Sequence, residues 1–350
     1  MACLFNLRLL FLRFGQLMFK HRRMNILMTV SNAQRLYLFL LWCLCKRRID
    51  LVPRERHAIV NTATGQRADT EHPGVSRVGS SNRSARLPNG DTRFAMIGEH
   101  NNFRDTEDTV LLASCAAECD AVVHLAFNHD FSQYQRSGEV DLAAVQSMCG
   151  ALEGTGKPFL NASGVLGLSP GRVGTETDQV PAANSSPRTA SANAVIAAAK
   201  SGVRSANLRF APAVHSAAKQ GFAGRLIQIA RETGVSGYVG DGAQRWPAIH
   251  VEDAATLVAA ALRRATGGVN LHAVADEGIP LRTLAEVIGR MVGVPTASID
   301  PDDANSHFGF LAFAVALDSP ASNAITRESL GWSPQQPGLV ELLESGAYRT

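Results

Sequence analysis

The sequence predicts an α/β fold, a doubly wound parallel sheet covered by helices on both faces, with a small C-terminal part added to it. Two observations lead there. From about residue 105 onward, short apolar runs of β type alternate with stretches of helical periodicity, the order that βαβ units require. One of those runs, AVVHLAF (121–127), is apolar almost without a break, as a strand buried on both faces has to be.

Taken in order, HAIVNTATGQ (57–66) has the outline of a strand entering a phosphate-binding turn. DTVLLASCAAEC then reads as a helix before AVVHLAF. DLAAVQSMCGALEGTGK places Leu142, Val145, Met148, Cys149 and Leu152 on one helical face and stops at Gly154 and Gly156. PFLNAS (158–163) is the following strand. A long Gly-, Pro- and Ser-rich loop separates it from the helix SANAVIAAAK, which closes at Gly202, and loops of that length inside a compact domain are usually functional. ANLRFAPAV (206–214) supplies a strand, FAGRLIQIARETG a helix, EDAATLVAAALRRATGG another helix capped by Asp253, and VNLHAVA (269–275) a strand. LRTLAEVIGRMVG carries Leu284, Val287, Ile288, Met291 and Val292 at amphipathic spacing. Parallel sheets of this kind bind ligands beyond the carboxyl ends of their strands, so the site is expected just after AVVHLAF, PFLNAS and ANLRFAPAV.

Charge is unevenly spread. The chain is formally +3, but residues 1–49 hold nine Lys and Arg and no acid, leaving 25 basic and 31 acidic residues elsewhere, a net of −6. A mildly acidic globular part gives no case for nucleic-acid binding. The basic, apolar segment 1–56 fits a targeting segment, a membrane-surface helix or a mis-assigned leader, and its longest apolar run is about half of a bilayer span. Any membrane association would run through it. The expected compartment is the cytoplasm, with a mitochondrial or membrane-associated location through that segment as the other reading. Six cysteines (3, 43, 45, 115, 119, 149) imply free thiols in a reducing compartment rather than a disulfide framework. Cys115, Cys119, His124 and His129 have a spacing that suggests zinc, but they span a helix and a strand, and no metal is expected.

With these strand ends in hand, CDAVVHLAF, PFLNASG, LRFAPAV, YVGDGAQRWPAIHVEDAA, LHAVADEG and LGWSPQQPGL, in that order, resemble the extended or atypical branch of the short-chain dehydrogenase/reductase superfamily, the NAD-dependent epimerase/dehydratase-like group. The resemblance implies a Rossmann-type sheet over 57–215 and 246–275, with VSRVGSSNRSARL and TRFAMIG as its second and third strands, and a substrate-binding part built from 216–245 and 276–350. It implies a small-molecule substrate and allows a homodimer. Carried over by position, Thr62, Ala63, Thr64 and Gly65 would form the phosphate turn, Ala126 and Phe127 would lie beside the dinucleotide, and Val214 would approach the nicotinamide. Arg245, Trp246 and His250 would wall the substrate, although a buried structural hinge is an equal reading of RWPAIH. The turn departs from the family pattern, which wants three glycines; Gly65 alone is kept, and Pro73 and Gly74 stop the following helix early. Ser80, Ser81 and Arg83, with no acid to grip a ribose hydroxyl, lean towards NADP, with NAD as the other choice.

Family members with the usual chemistry carry a Tyr four residues before a Lys on the helix after the long loop, and a Ser or Thr at the preceding strand end. Ser163 stands at that strand end. Arg188 and Ala192 occupy the Tyr and Lys positions, and an arginine stays protonated, so it cannot serve as acid or base. Arg188 is therefore expected to contact substrate, while Tyr134, His129 or a water supplies the acid or base. Tyr134 is the better side chain, because a neighbouring cation can tune its pKa. A hydrolase reading of Ser163 lacks the G-x-S-x-G elbow. The expected function is NAD(P)-dependent oxidoreduction or epimerase/dehydratase-like chemistry; the alternatives are a catalytically inactive NAD(P)-binding or sensory protein of the same fold, and the product of a damaged gene.

Overall fold

A computed structural model describes residues 58–60 and 106–346, apart from 129 and 218–220. The expected phosphate turn, the two strands after it, His129 and segment 1–56 lie outside the described residues. Strands β1 (Ala58–Val60), β2 (Val122–His124), β3 (Pro158–Gly164), β4 (Arg204–Phe210) and β8 (Val269–Ala273) form one sheet in the order β1-β2-β3-β4-β8. All four pairings are parallel, as the apolar runs predict. Helices α1 (Thr109–Glu118), α2 (Tyr134–Ala151), α3 (Pro187–Ala198) and α5 (Val251–Arg264) pack with it, and Val145, Met148, Cys149 and Leu152 bury the expected face of α2. Gly202 ends the α3 segment at φ 77°, a left-handed conformation that costs glycine no Cβ clash.

A polar ladder fixes the register of this sheet. Asn161, Asn207 and Asn270 face one another across β3, β4 and β8, linked side chain to side chain at 3.0 Å in both steps. Asn207 Nδ2 also donates to the Ala192 carbonyl at 3.0 Å, and Ser205 Oγ to the Val195 carbonyl, so α3 is tied directly to β4. A one-residue slip would strand every one of these buried groups.

The expected strand 206–214 breaks in two. Ala211 makes its last sheet contact, N–H to the Ala273 carbonyl, and Pro212 has no N–H to continue the ladder. The chain re-forms as β5 (Ala213–His215) in a separate sheet, β5-β7-β9, with β7 at Arg245–His250 and β9 at Asp276–Pro280. This sheet lies between two hydrophobic clusters: Val214 and Ile249 pack into the first, Ala213, Trp246 and Ala248 into the second. Helices α4 (Gly221–Thr233) and α6 (Leu281–Val292) and the paired strands β6 (Ser236–Val239) and β10 (Thr296–Ile299) build the second part. Ala321, Leu330 and Trp332, from the stretch assigned to that part, pack instead in the first cluster. Asp253 does not cap α5. His250 does, its Nδ1 accepting from Glu252 N–H at 3.2 Å, whereas the buried Asp253 carboxylate accepts from the N–H groups of Gln335 and Gln336 at 2.9 Å. Among the described residues, no helix is long and apolar enough to cross a membrane.

Candidate active site

The carboxyl ends of β2, β3 and β4 lie side by side, since His124 pairs with Asn161 and Gly164 with Phe210. Val165 N–H donates to the Phe210 carbonyl at 3.2 Å and keeps the β3 and β4 exits together. Beyond β2, Ala126 and Phe127 are buried; at the end of β3, Ser163 is half-buried and Gly164 exposed. Val214 is buried on β5, and its carbonyl lies only 3.0 Å from where a Cβ on Gly221 would stand, which brings the start of α4 to this edge.

Arg188 joins these ends. Pro187 opens α3 with its φ already helical, and Ser186 N–H donates to Thr189 Oγ1 at 3.0 Å, so the first turn is fixed in place. The Arg188 guanidinium lies 4.4 Å from the centre of the Phe127 ring, and Nη2 donates to the Ala162 carbonyl at 2.6 Å, one residue before Ser163. Its Nε is buried with no hydrogen-bond partner. Tyr134, expected in a loop, is the first residue of α2, with its ring 5.8 Å from that of Phe127 and edge-on to it. Helices α2 and α3 touch at Gly138, where a Cβ would meet Pro187 Cβ at 2.2 Å.

Beneath Arg188 is a buried polar set that the sequence reading missed. His124 Nε2 meets Asp141 Oδ1 at 3.0 Å, and the two side chains are 1% and 3% exposed. Burial raises the Asp141 pKa, but the hydrogen bond and charge of His124, with the charge of Arg188, outweigh it and hold the carboxyl below its usual range. Ser137 Oγ is also buried without a partner, and the buried Ser191 hydroxyl helps to lower the Asp141 pKa. The available signal was His124 itself, a polar residue inside an otherwise apolar strand. The thiols of Cys115 and Cys119 are pushed up, mainly by burial, to about 11 and about 12, so neither is a ready thiolate.

The long loop between β3 and α3 is pinned. The Glu176 carboxylate accepts from both Thr326 N–H and Thr326 Oγ1 at 2.7 Å, Arg209 Nη1 donates to the Asp178 carbonyl at 2.9 Å, and Gly174 bridges to Ala321. Burial lowers the Arg209 pKa to about 10 against the opposing charges of Asp178 and Glu176.

The residues expected to wall the substrate each have partners within the protein. Trp246 is 1% exposed, with Nε1 donating to the Ala314 carbonyl at 3.0 Å, so the indole fills the second core and faces no open space. Arg245 grips Asp318 through Nε and Nη2 at 3.0 and 2.7 Å, which commits its fork to the C-terminal segment. His250 is occupied as a helix cap, its ring 5.4 Å from the buried His215. The hinge reading of RWPAIH accounts for all three contacts. Thr62, Ala63, Thr64, Gly65, Ser80, Ser81 and Arg83 lie outside the described residues.

A sequence model of the NAD dependent epimerase/dehydratase family matches residues 63–274. The chain belongs to that family. It is 40% identical to an uncharacterized protein of Schizosaccharomyces pombe over 69% of this chain and 82% of that one. An uncharacterized protein of Saccharomyces cerevisiae is 39% identical over 68% and 80%. Among solved structures, DesIV, a dTDP-glucose 4,6-dehydratase from Streptomyces venezuelae with NAD and TYD bound, is similar at a TM-score of 0.64 and 16% identity, covering 93% of this chain and 97% of that one. MoeE5 in complex with UDP-glucuronic acid and NAD gives 0.60 and 19%, covering 92% and 97%. The Rossmann-type fold that the resemblance implies is thus shared with these two structures, which hold NAD.

The described half of this family site fits a nicotinamide. Buried Ala126 and Phe127 offer an apolar side, and Ser163 together with the unpartnered Arg188 Nε–H offers donors beside it. Arg188 brings a permanent positive charge to that edge and no transferable proton.

Proposed function

We propose that this protein is an NAD(P)-dependent oxidoreductase or epimerase/dehydratase-like enzyme acting on a small organic substrate at the carboxyl edge of β2, β3 and β4. The observation that carries the reading is the Arg188 guanidinium, stacked on Phe127 and bonded to the Ala162 carbonyl next to Ser163. A bound nicotinamide would supply hydride acceptance or donation. Ala126, Phe127 and Val214 would flank it, and residues 62–65 would meet its phosphates. Ser163 orients the substrate oxygen by hydrogen bonding, and Arg188 binds the substrate and stabilises negative charge on it in a site of low dielectric. Tyr134, across Phe127 from that cation, is the side chain available to hold or release a proton. Ser80, Ser81 and Arg83 favour NADP over NAD by offering hydroxyls and a cation to a 2′-phosphate.

Titration of the purified protein with NADPH and NADH, followed by nicotinamide fluorescence, tests this. Micromolar binding supports it, and no binding of either nucleotide rejects it. Arg83→Ala should abolish any preference for NADPH; unchanged selectivity removes the NADP assignment. A second reading, a nucleotide-binding protein without catalysis, is favoured by Arg188 and Ala192 in place of the Tyr and Lys pair. Turnover of any ketone or sugar nucleotide in a panel would exclude it.

A further inference from the structure

The guanidinium of Arg188 is held in position without being neutralised. The Phe127 ring lies against it and the Ala162 carbonyl accepts from Nη2. The Nε–H has no acceptor although it is shut off from water. Among the described residues no carboxylate lies within 4.0 Å of it; Asp141, whose charge it feels, gives its close contact to His124.

A buried N–H is stable only when something accepts its hydrogen bond, and a cation in a water-poor site favours an anion there. The shape of the free edge narrows the choice. Nε–H and the neighbouring Nη2, which has a second N–H besides the one given to the Ala162 carbonyl, lie side by side in the guanidinium, a spacing that matches the two oxygens of a carboxylate. Because Phe127 and the Ala162 carbonyl already hold the side chain, little rotamer entropy is left to lose when such a group binds. A lysine in the same place would be a point charge without that pair of donors.

Resting on the oxidoreductase-like reading above, we propose that Arg188 selects a substrate carrying a carboxylate beside the carbon that reacts, as in a 2-oxo or 2-hydroxy acid. The carboxylate seats on the Nε edge of Arg188, one residue along the strand end from the Ser163 hydroxyl. The same substitution that removes the family's phenol thereby supplies an anion-reading contact in its place.

The test uses the full-length protein and the matched probes oxamate and oxamide, which differ in charge and hardly in size. Binding is measured by calorimetry with and without NADPH or NADH, and binding of each nucleotide is followed on the same samples. Wild type should bind oxamate and not oxamide. Arg188→Gln should weaken oxamate by about tenfold or more, the loss expected for a charge-assisted pair. Arg188→Lys should recover only part of the loss, and it serves alone if the Gln variant does not fold. Equal binding of the two probes, no oxamate binding by wild type, or an affinity unchanged in either variant would overturn the proposal. If NADPH or NADH binds while oxamate fails, this inference falls and the dinucleotide reading stands; if neither nucleotide nor oxamate binds, both fall.

Discussion

Replacing Gly138 with alanine puts a methyl carbon 2.2 Å from Pro187 Cβ and 2.9 Å from the Pro187 carbonyl carbon. Carbon atoms rest at about 3.5–4.0 Å, so the two helices have to part by roughly 1.3 Å or more at this point. Neither obstacle is the far end of a flexible side chain: one is a proline ring and the other backbone. Overpacking of this kind costs about 1–3 kcal/mol, opposed by about 1 kcal/mol from replacing a helical glycine with alanine. Gly150, on the same helix, separates the two effects, because a Cβ there meets nothing within 4 Å. Gly150→Ala should therefore keep the propensity gain alone and stabilise by about 0.5–1 kcal/mol. The difference between the variants is then about 1–3 kcal/mol, read from urea melts followed by tryptophan fluorescence. Since Pro187 precedes Arg188, Gly138→Ala should also weaken oxamate binding, whereas Gly150→Ala should not. Variants that melt within about 0.5 kcal/mol of each other would refute the close approach of α2 to α3.

Three further outcomes follow from buried polar contacts. Asn207→Leu should destabilise by about 2–4 kcal/mol in urea, because it leaves Asn161 Nδ2 and Asn270 Oδ1 without their ladder partner; a cost under about 1 kcal/mol would argue that water reaches them. Burial and the charge of His250 push the His215 pKa to about 3, and burial, with Arg209 adding, lowers His272 to about 4 against the pull of Glu176. Below the ordinary histidine value of about 6.5 the unfolded chain thus takes up protons that the folded one refuses, so stability falls as pH drops from there towards about 4, by at most ~1.4 kcal/mol per pH unit for each ring. His215→Leu should make the loss between pH 6.5 and 4.5 shallower by about one proton, and an unchanged slope would mean that His215 is not buried neutral. Asp318→Ala should cost more than Arg245→Ala, about 1–2 against less than about 1 kcal/mol after allowance for partial exposure, since only the former leaves the Arg245 N–H without its acceptor as well.

What could be read in the sequence was whatever depends on neighbours along the chain. AVVHLAF, PFLNAS and LRF are strands because their apolar character is local, and Gly202 ends the α3 segment for a local steric reason. Pro212 was as visible as those glycines, yet the apolar run around it hid the break, since losing one N–H matters only once a neighbouring strand is known to need it. The contacts that define the site join residues far apart in sequence: His124 with Asp141 across 17 positions, Asn161 with Asn207 across 46, Trp246 with Ala314 across 68 and Arg245 with Asp318 across 73. No periodicity encodes such pairs. Position alone suggested Arg245 and Trp246 as substrate residues, and the partners each takes in the C-terminal segment, Asp318 and Ala314, could not be foreseen from it.

That distinction bears on whether Arg188 marks a decayed site. A long cation left behind by the loss of a catalytic pair has every reason to turn to water, where its charge is solvated at no cost in strain. Arg188 does the opposite. Its helix start is fixed by Ser186, Thr189 and Pro187, its helix is tied to the sheet through Asn207 and the Ala192 carbonyl, and Gly138 leaves room for α3 to come close. Each of these features lies on a different segment, and each is needed to hold a guanidinium against Phe127 with one N–H kept from solvent. Decay removes constraints independently and would not leave three of them converging on one side chain. The convergence is the physical reason for proposing position 188 as a working part of the site that takes an anion.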